Sequence, residues 1–360
     1  MSRSRSRLRW MVVTLTVALL AALAGPVQAG EKGRGPDREI SVMTRNLYFG
    51  ADLTPVVLAD TPEALQTALF GAFGQAQGSN FPLRMDAVAG EIADSGAVLV
   101  GMQEVATWSI NGVVVSDFTN LVIQGLANRG LSYEAVAVAP GFQFAAPIPG
   151  VGLAGLTISD VILARTDLSP SELKVENPQT GRYTMQVVLQ TPIGPVPFPR
   201  QWAAIDAKVR GMKFRFVTTH LESLDLGPVA GIRQAQAAEL LMSPTSPLNT
   251  TKRPVVLVGD FNSQVTDPGD AIDQFLSAGF TDAWAVAGVG PGFTSGHDAN
   301  LADPADLLDN SRIDFITVRG GPVVEAAAVV DTALSPGPAL RPLWPSDHGG
   351  MMATLELKPK

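Results

Sequence analysis

The stretch PVVLVGDFNS, residues 254–263, is the one around which the rest of the sequence is organised. Its apolar run and the polar turn that follows it are typical of a short strand buried on both faces. Side chains two residues apart point to the same side of an extended chain, so Asp260 and Asn262 are expected to face one cavity from the end of this strand. The alternative is a strand that ends in an Asx turn. The pattern alone leaves both interpretations open.

The first 29 residues have the features of a secretory signal peptide. Four arginines lie between residues 3 and 9, an apolar segment occupies residues 11–25, and the small residues Val27 and Ala29 precede the expected cleavage point. The apolar segment is too short to span a bilayer, and no arginine pair favours a twin-arginine route. We therefore expect export with loss of residues 1–29, a secreted and extracellular protein, and a disordered N-terminus at residues 30–38.

The charge and the cysteine content restrict the function. The formal net charge is −8, and loss of a signal peptide with four arginines and no acidic residue would make it −12. A field of this sign repels polyanions at long range and argues against non-specific nucleic-acid binding, although a local basic cleft is compatible with it. The chain has no cysteine, so disulfides and a lipoprotein anchor are excluded. No linker or repeat interrupts residues 39–357, which are expected to form one domain.

Expected strands alternate with helices early in the chain and follow one another in the middle. This mixture predicts an α/β (α+β) fold with mixed sheets covered by helices. Strands are expected at residues 40–46, 97–102, 133–139, 158–164, 183–190, 202–209, 213–219, 255–258, 312–318, 323–330 and 351–356, and helices at 61–75, 82–95, 116–128, 229–241 and 270–278. Residues 140–155 are expected to be an apolar loop that either packs on the surface or contacts an apolar part of a substrate.

Polar side chains occur repeatedly where an expected buried strand ends. They are Asn46, Glu104, His220, Asp260 with Asn262, and Asp347 with His348. The side-chain oxygens of Glu104, Asp347 and Asn46 are ligands that suit a hard divalent cation. A metal neutralises charge at phosphorus and a histidine serves as acid or base near neutral pH, so the set is suited to phosphate-ester hydrolysis.

The chain has three histidines, and two of them belong to this pattern. His297 lies in a Gly/Asp-rich segment with no strand before it, and it is interpreted as structural or solvent-exposed. Asp314 has two interpretations: it fixes the tautomer of His348 in a carboxylate–imidazole pair, or it is a solvated strand residue.

Six short motifs together resemble the endonuclease/exonuclease/phosphatase superfamily. They are Asn46, Gln103-Glu104, Thr219-His220-Leu221, Gly259-Asp260-Phe261-Asn262, Arg312-Ile313-Asp314-Phe315 and Ser346-Asp347-His348. The superfamily includes pancreatic deoxyribonuclease, abasic-site endonucleases, neutral sphingomyelinases and inositol-polyphosphate phosphatases. The motifs occur in the family's order, and the resemblance implies a four-layer sandwich of two packed mixed β-sheets flanked by helices, with the site at one edge.

The resemblance also implies a metal site. Glu104 would be the principal ligand of Mg²⁺, with Mn²⁺ and Ca²⁺ as alternatives. Asn46 would support the metal or orient Glu104, and Asp347 would lie beside the metal.

For the catalytic residues, the resemblance implies that Asp260 binds or orients the attacking water and that Asn262 contacts the phosphate. His348, paired with Asp314, would act as general base or transition-state stabiliser. His220 would contact the phosphate or assist the leaving group, and a histidine at this position resembles the deoxyribonuclease and sphingomyelinase branches.

Two departures from the family pattern leave the substrate open. Tyr48 stands where abasic-site enzymes have an acid, and no position matches the family's phosphate-contacting tyrosine and arginine, for which Arg165 and Arg182 are the candidates. The function expected is that of a secreted, monomeric, Mg²⁺-dependent phosphoesterase without a transmembrane segment, which cleaves phosphodiester bonds in nucleic acid or in a phospholipid head group. A phosphomonoesterase of small phosphate esters and a catalytically silent binding module of the same fold are the alternatives.

Overall fold

The computed structural model of the protein describes residues 38–224, 229–302, 311–334 and 343–358. The expected signal peptide at residues 1–29 lies outside the described residues, as do residues 30–37 of the expected disordered N-terminus. Within the described ranges, no helix combines the length and the apolar character that crossing a bilayer requires.

The described residues contain fifteen strands and seven helices. The strands are β1 (Glu39–Asn46), β2 (Leu99–Ile110), β3 (Val113–Asp117), β4 (Tyr133–Ile148), β5 (Gly152–Arg165), β6 (Lys174–Arg182), β7 (Val187–Thr191), β8 (Gly194–Phe198), β9 (Gln201–Val209), β10 (Met212–His220), β11 (Val255–Asp260), β12 (Thr281–Asp282), β13 (Asp314–Arg319), β14 (Pro322–Val330) and β15 (Gly350–Leu357). The helices are α1 (Thr54–Val57), α2 (Pro62–Gly78), α3 (Phe81–Ser95), α4 (Phe118–Asn128), α5 (Ile232–Met242), α6 (Ala271–Ser277) and α7 (Ala283–Ala287).

The strands form two large mixed sheets and one separate hairpin. Sheet A has the order β14-β15-β1-β2-β5-β4, with β3 paired to β2, and sheet B has the order β12-β13-β11-β10-β9-β6. The hairpin consists of β7 and β8. Each sheet has one parallel pair at its centre, β1 with β2 and β10 with β11, and the neighbours of these pairs are antiparallel.

Most of the apolar side chains of the described residues fall into three layers because the central strands are buried on both faces. Val42 of β1 and Val256 of β11 lie in the core between the sheets. The next residue of each strand points the other way. Met43 therefore packs in the core that contains side chains of α3 and α4, and Leu257 packs in the core that contains side chains of α5 and α6. The expected architecture, two packed mixed sheets flanked by helices, is confirmed.

The expected loop at residues 140–155 is wrong, because most of it belongs to the long hairpin of β4 and β5. Proline and glycine suggested a loop in the sequence. However, β4 is an edge strand of sheet A, where Pro140 and Pro147 are tolerated because an edge strand does not need every backbone donor. The pairing also shifts between Pro140 and Gln143, which absorbs the irregularity as a bulge.

Two smaller expectations also need correction. The strand expected at residues 183–190 is interrupted, since β6 ends at Arg182 and β7 begins only at Val187. Helix α4 is capped by Asp117 instead of Ser116, because the carboxylate of Asp117 accepts a hydrogen bond from the backbone N–H of Asn120.

Gly259 in β11 provides a test of how closely β10 and β11 approach each other. Its φ is 148°, and a Cβ at this position would lie 1.9 Å from the carbonyl oxygen of Thr219 in the adjacent strand. We expect Gly259→Ala to lower the free energy of unfolding by about 3 kcal/mol or more, because β10 and β11 would have to separate. Urea denaturation measures the change.

The matched control is Gly71→Ala in α2, where a Cβ would meet no atom within 4 Å. This change is expected to raise the free energy of unfolding by about 0.5–1 kcal/mol, because alanine favours the helix. A similar effect of the two substitutions would contradict the close approach of β10 and β11.

Candidate active site

The site lies where the parallel strands of both sheets end. In sheet A, Asn46 at the end of β1 is paired with Gln103 of β2, and in sheet B, His220 at the end of β10 is paired with Asp260 at the end of β11. Gln103 donates a hydrogen bond across the sheets to the hydroxyl of Thr218, at 2.8 Å. The carboxyl ends of the two parallel pairs therefore open onto one crevice.

Antiparallel neighbours bring further residues to the same edge. Asp314 begins β13 opposite Asp260. His348 precedes β15, which starts at Gly350 and runs antiparallel to β1. Because β15 runs antiparallel to β1, a residue that precedes β15 lies beside the C-terminal end of β1. Residues far apart in sequence therefore converge at this edge.

The carboxylate of Asp260 is the point at which the two sheets meet. Its Oδ2 accepts a hydrogen bond from Nδ2 of Asn46 at 3.1 Å, and lies 3.5 Å from Nε2 of His220 and 3.8 Å from Nε2 of His348. Its Oδ1 accepts the backbone N–H of Asn262 at 2.9 Å. This last bond is an Asx turn, so the turn forms and Asp260 nevertheless faces the crevice, although Asn262 does not.

His348 and Asp314 form a buried pair, with 2.8 Å between Nδ1 and Oδ2. The backbone carbonyl of His348 accepts a hydrogen bond from Arg45, whose guanidinium is paired with Glu91 in the interior. The backbone N–H of Asp314 donates to the hydroxyl of Thr294 at 3.1 Å. The imidazole is thus held at Nδ1 by Asp314, with Nε2 directed toward Asp260.

Glu104 is directed into the crevice by an irregularity in β2. The pairing of β2 with β5 shifts between Met102 and Val105, and Glu104 has a φ of 53°, which is rare for a residue with a side chain. Its Oε1 accepts from Nδ2 of Asn46 at 3.4 Å, and its Oε2 accepts from the backbone N–H of Phe49 at 3.1 Å.

The carboxylates of Glu104 and Asp347 lie near each other at this edge. Burial raises the pKa of Glu104, and the nearby charge of Asp347 raises it further. Burial also raises the pKa of Asp347. Two carboxylates whose pKa values are raised are a donor set that fits a hard divalent cation, and the amide nitrogen of Asn46 orients one of them, Glu104. Asp260, Asp314 and His348 also offer ligand atoms within 4.8 Å of one another, but His348 and Asp314 already bind each other.

The two histidines differ in protonation. Burial, the charge of Arg200 and the proximity of His348 place the pKa of His220 well below its ordinary value. Burial would also lower the pKa of His348, but the carboxylates of Asp314 and Asp260 outweigh it and place the pKa well above its ordinary value. Burial and the charge of Asp314 raise the pKa of Asp260 to about 7. Near neutral pH, His220 is therefore neutral and His348 is an imidazolium.

A sequence model described as the Endonuclease/Exonuclease/phosphatase family matches residues 46–348. The chain belongs to this family. A search of curated proteins finds no match. The expected superfamily assignment is therefore confirmed, and the chain is a member of a family of phosphoesterases.

Solved structures similar to this family member agree with it in fold. An endonuclease/exonuclease/phosphatase family protein from Bacteroides thetaiotaomicron is 18% identical, with 90% of this chain and 100% of that chain covered and a TM-score of 0.59. A mannosyl-6-phosphatase from the same species is 18% identical, with 88% and 99% covered and a TM-score of 0.57. A family protein from Bacteroides vulgatus is 21% identical, with 89% and 99% covered and a TM-score of 0.53.

Arg200 is the main residue of the site that the sequence did not reveal. It precedes β9, is buried, and pairs with Glu222 at 3.3 Å. Its Nη1 lies 2.9 Å from Nε2 of His220. A guanidinium only donates hydrogen bonds, so Nε2 accepts, and His220 positions Arg200 instead of donating a proton from this atom.

The structure places the two arginines considered earlier outside the site of this family member. Arg165 pairs with Asp167 at 2.7 Å, and Arg182 donates to the carbonyl of Pro140. Arg200 could have been found from the antiparallel pairing of β9 with β10, because a residue that precedes β9 must lie beside the end of β10 at His220.

The structure differs from the expectation for Asn262 and decides between the two interpretations of His297. Asn262 donates its amide hydrogen to the carbonyl of Leu221 at 3.0 Å, so its side chain also supports the turn after β11. His297 is buried, lies 2.9 Å from Asp331 through Nε2, and stacks on Trp344 with 3.9 Å between ring centroids. It is therefore a packed residue and not solvent-exposed.

The protonation states of the histidines are measurable by NMR in the metal-free protein. We expect the imidazole of His220 to remain neutral as the pH falls below 6.5 and that of His348 to remain protonated as the pH rises above 6.5. The chain has only three histidines, so His220→Gln and His348→Gln assign the signals. Asp314→Asn should lower the pKa of His348, whereas burial and the charge of Arg200 should keep that of His220 below its ordinary value. Titration of both rings near 6.5 would contradict the burial and pairing described above.

Proposed function

We propose that the protein is a divalent-metal-assisted hydrolase of phosphodiesters. The proposal rests on one observation: two cationic side chains and, separately, two carboxylates converge on one crevice. The cationic pair is Arg200 and the imidazolium of His348, and the carboxylate cluster is Glu104 with Asp347. The first pair suits the oxygens of a phosphate ester, and the second suits a metal ion beside it.

Each residue has a task that follows from its contacts. Asp260, with its pKa near 7, accepts the proton of the attacking water. The imidazolium of His348, oriented by Asp314, stabilises the negative charge that develops on the phosphoryl oxygens. Arg200, positioned by His220, binds the phosphate. The water oxygen bonds to phosphorus as the bond from phosphorus to the leaving oxygen breaks; the leaving group departs as its oxyanion and takes a proton from solvent, and Asp260 releases its proton to solvent.

Glu104 and Asp347 would hold the metal. A bound divalent cation supplies Lewis-acid neutralisation of charge at the phosphate, and we propose Mg²⁺, with Mn²⁺ and Ca²⁺ as alternatives. The carboxylates of Glu104 and Asp347 provide the negative charge, and the hydrogen bond from Asn46 orients Glu104.

We also propose that the protein is secreted. The arginine-rich and apolar segment at residues 1–29 supports secretion into the extracellular medium, where the protein would act as a monomer.

The alternative of a silent binding module predicts the loss of a catalytic side chain. Against it, Asp260, His348 and Asp314 are present and in contact with one another.

Removal of the imidazole tests the proposed chemistry. We expect His348→Ala to lower kcat for bis-p-nitrophenyl phosphate by about 100-fold or more in the presence of Mg²⁺, because the charge on the phosphoryl oxygens loses its partner. Asp314→Asn should also lower kcat. The double variant should be no slower than His348→Ala, since Asp314 acts through the imidazole. Equal rates for wild type and His348→Ala would support the silent module.

Neutralisation of Glu104 tests the metal site. We expect Glu104→Gln to raise the Kd of Mg²⁺ by at least about tenfold, measured by isothermal titration calorimetry, because the principal carboxylate ligand is lost. The metal-free variant should not have a lower melting temperature than wild type, because the substitution removes repulsion with Asp347. Glu176→Gln, at an exposed position of β6, is the matched control. An unchanged Mg²⁺ titration of Glu104→Gln would rule out its role as a ligand.

A further inference from the structure

A large cavity opens directly from the catalytic crevice. Its volume is about 920 Å³, near the upper limit of the pockets that enclose drug-sized ligands. Glu104, His220, Arg200 and Asp347 line one end of it. Most of its other lining residues come from β2, the β4–β5 hairpin, the β7–β8 hairpin and the segment that contains α1 and α2. A substrate held at the crevice therefore has this cavity beside its phosphate.

The walls of the cavity are predominantly apolar. Phe142 of β4 stacks on Phe198 of β8 with 4.4 Å between ring centroids, so the two hairpins share one aromatic surface. Trp108 and Leu156 extend this surface. The guanidinium of Arg200 lies 5.2 Å from the ring of Phe198, which places the phosphate-binding cation directly beside the apolar wall. Phosphate binding and apolar contact are thus adjacent.

Exposed apolar side chains also surround the mouth of the cavity. Leu58, which follows α1, is 73% exposed, and Ile193, in the turn of the β7–β8 hairpin, is 62% exposed. Val57 and Val188 are also exposed, and all four line the cavity. Apolar side chains clustered at the entrance of an apolar cavity are typical of a binding site and not of an ordinary protein surface.

The charges in the cavity argue against a polynucleotide as its occupant. Among the described residues, Arg200 is the only lysine or arginine that lines it, whereas Asp52, Glu104, Glu222 and Asp347 contribute acidic groups. A groove that follows a nucleic-acid backbone needs several cations along its length. The cavity instead combines one phosphate-binding cation with an uncharged wall.

We propose that this cavity binds an aliphatic chain of the substrate, so that the substrates are amphiphilic phosphodiesters with at least one long alkyl or acyl chain. The inference rests on the proposed function, because it places the phosphodiester at the crevice formed by Glu104, Asp260 and His348. The chain then lies along Trp108 and the two hairpins. The apolar rim at Leu58 and Ile193 contacts the remainder of the amphiphile, either as a monomer or in an aggregate.

The experiment uses alkyl p-nitrophenyl phosphodiesters with methyl, hexyl and decyl chains below their critical micelle concentrations. The leaving group is the same in all of them, so the reaction at phosphorus is constant. A fully buried methylene is worth about fourfold in affinity. Even with partial burial, we expect kcat/KM to rise at least about tenfold from methyl to hexyl and to rise again for decyl, through a lower KM.

Two substitutions in the β7–β8 hairpin test whether the dependence of kcat/KM on chain length arises in the cavity. Val188→Glu and Ile193→Glu introduce a charge at exposed positions of the cavity wall, so both should fold, and both should reduce the hexyl-to-methyl ratio of kcat/KM to about one third or less. The matched control is Val138→Glu on β4, because Val138 is 48% exposed, similar to the 42% of Val188, and does not line the cavity. This control should keep the wild-type ratio.

A binding measurement separates failure of this inference from failure of the proposed function. The fluorescent fatty acid 11-(dansylamino)undecanoic acid should bind wild type and Val138→Glu, should be displaced by the decyl diester, and should bind at least about fivefold more weakly to Val188→Glu. If no ester is hydrolysed, the proposed function fails, and the displacement result alone decides whether the cavity binds a chain.

Three outcomes would overturn the inference. The first is a kcat/KM that does not depend on chain length while the methyl ester is hydrolysed. The second is no binding of the fluorescent fatty acid, or equal binding to wild type and Val188→Glu. The third is a preference for the p-nitrophenyl ester of thymidine 5′-monophosphate over the decyl ester, which would identify the occupant as a nucleotide. Vesicles that contain a long-chain phosphodiester lipid then show whether the chain is taken from a membrane or from solution.

Discussion

The structure of the site depends on the buried carboxylate of Asp260. A buried carboxylate is costly unless polar groups surround it, so the strands that supply those groups must end at the same level. Asp260 lies at the end of β11 in sheet B, and Asn46 at the end of β1 in sheet A donates a hydrogen bond to its Oδ2. Satisfying one charge therefore fixes the relative position of the two sheets at this edge. The hydrogen bond between Gln103 and Thr218 ties the sheets together only a few residues away.

A buried arginine gives the loops around this carboxylate a rigid support. Arg84 of α3 donates to the carbonyls of Leu47 and Tyr48 after β1, both at 2.6 Å, and to the carbonyl of Pro345 at 2.8 Å. Burial lowers the pKa of Arg84 to about 10. One side chain thus holds the segment that follows Asn46 against the segment that precedes His348. The active-site loops are positioned by the helix layer as well as by the sheets.

The sequence predicted the parts of the site that follow from strand periodicity and short motifs. Apolar runs ending in polar residues located Glu104 and Asp260, and the pairing considered for His348 located Asp314. Arg200 was missed because it precedes a strand and belongs to no motif, so only the antiparallel pairing of β9 with β10 brings it beside His220. The cavity was missed for a related reason: its walls come from hairpins and helices far apart in the chain, and only their packing creates the enclosed space.

Strand β2 has a consequence for the dimensions of the whole site. It carries Glu104 at the phosphate end and continues without further irregularity to Trp108, which lies in the apolar wall. Four residues of extended chain separate these side chains by about 13 Å. Because a β-strand neither stretches nor compresses appreciably, the depth available beyond the phosphate is set by the backbone itself. Side-chain substitutions in the wall would alter the width of the space but not its length, which only an insertion or deletion in β2 would change.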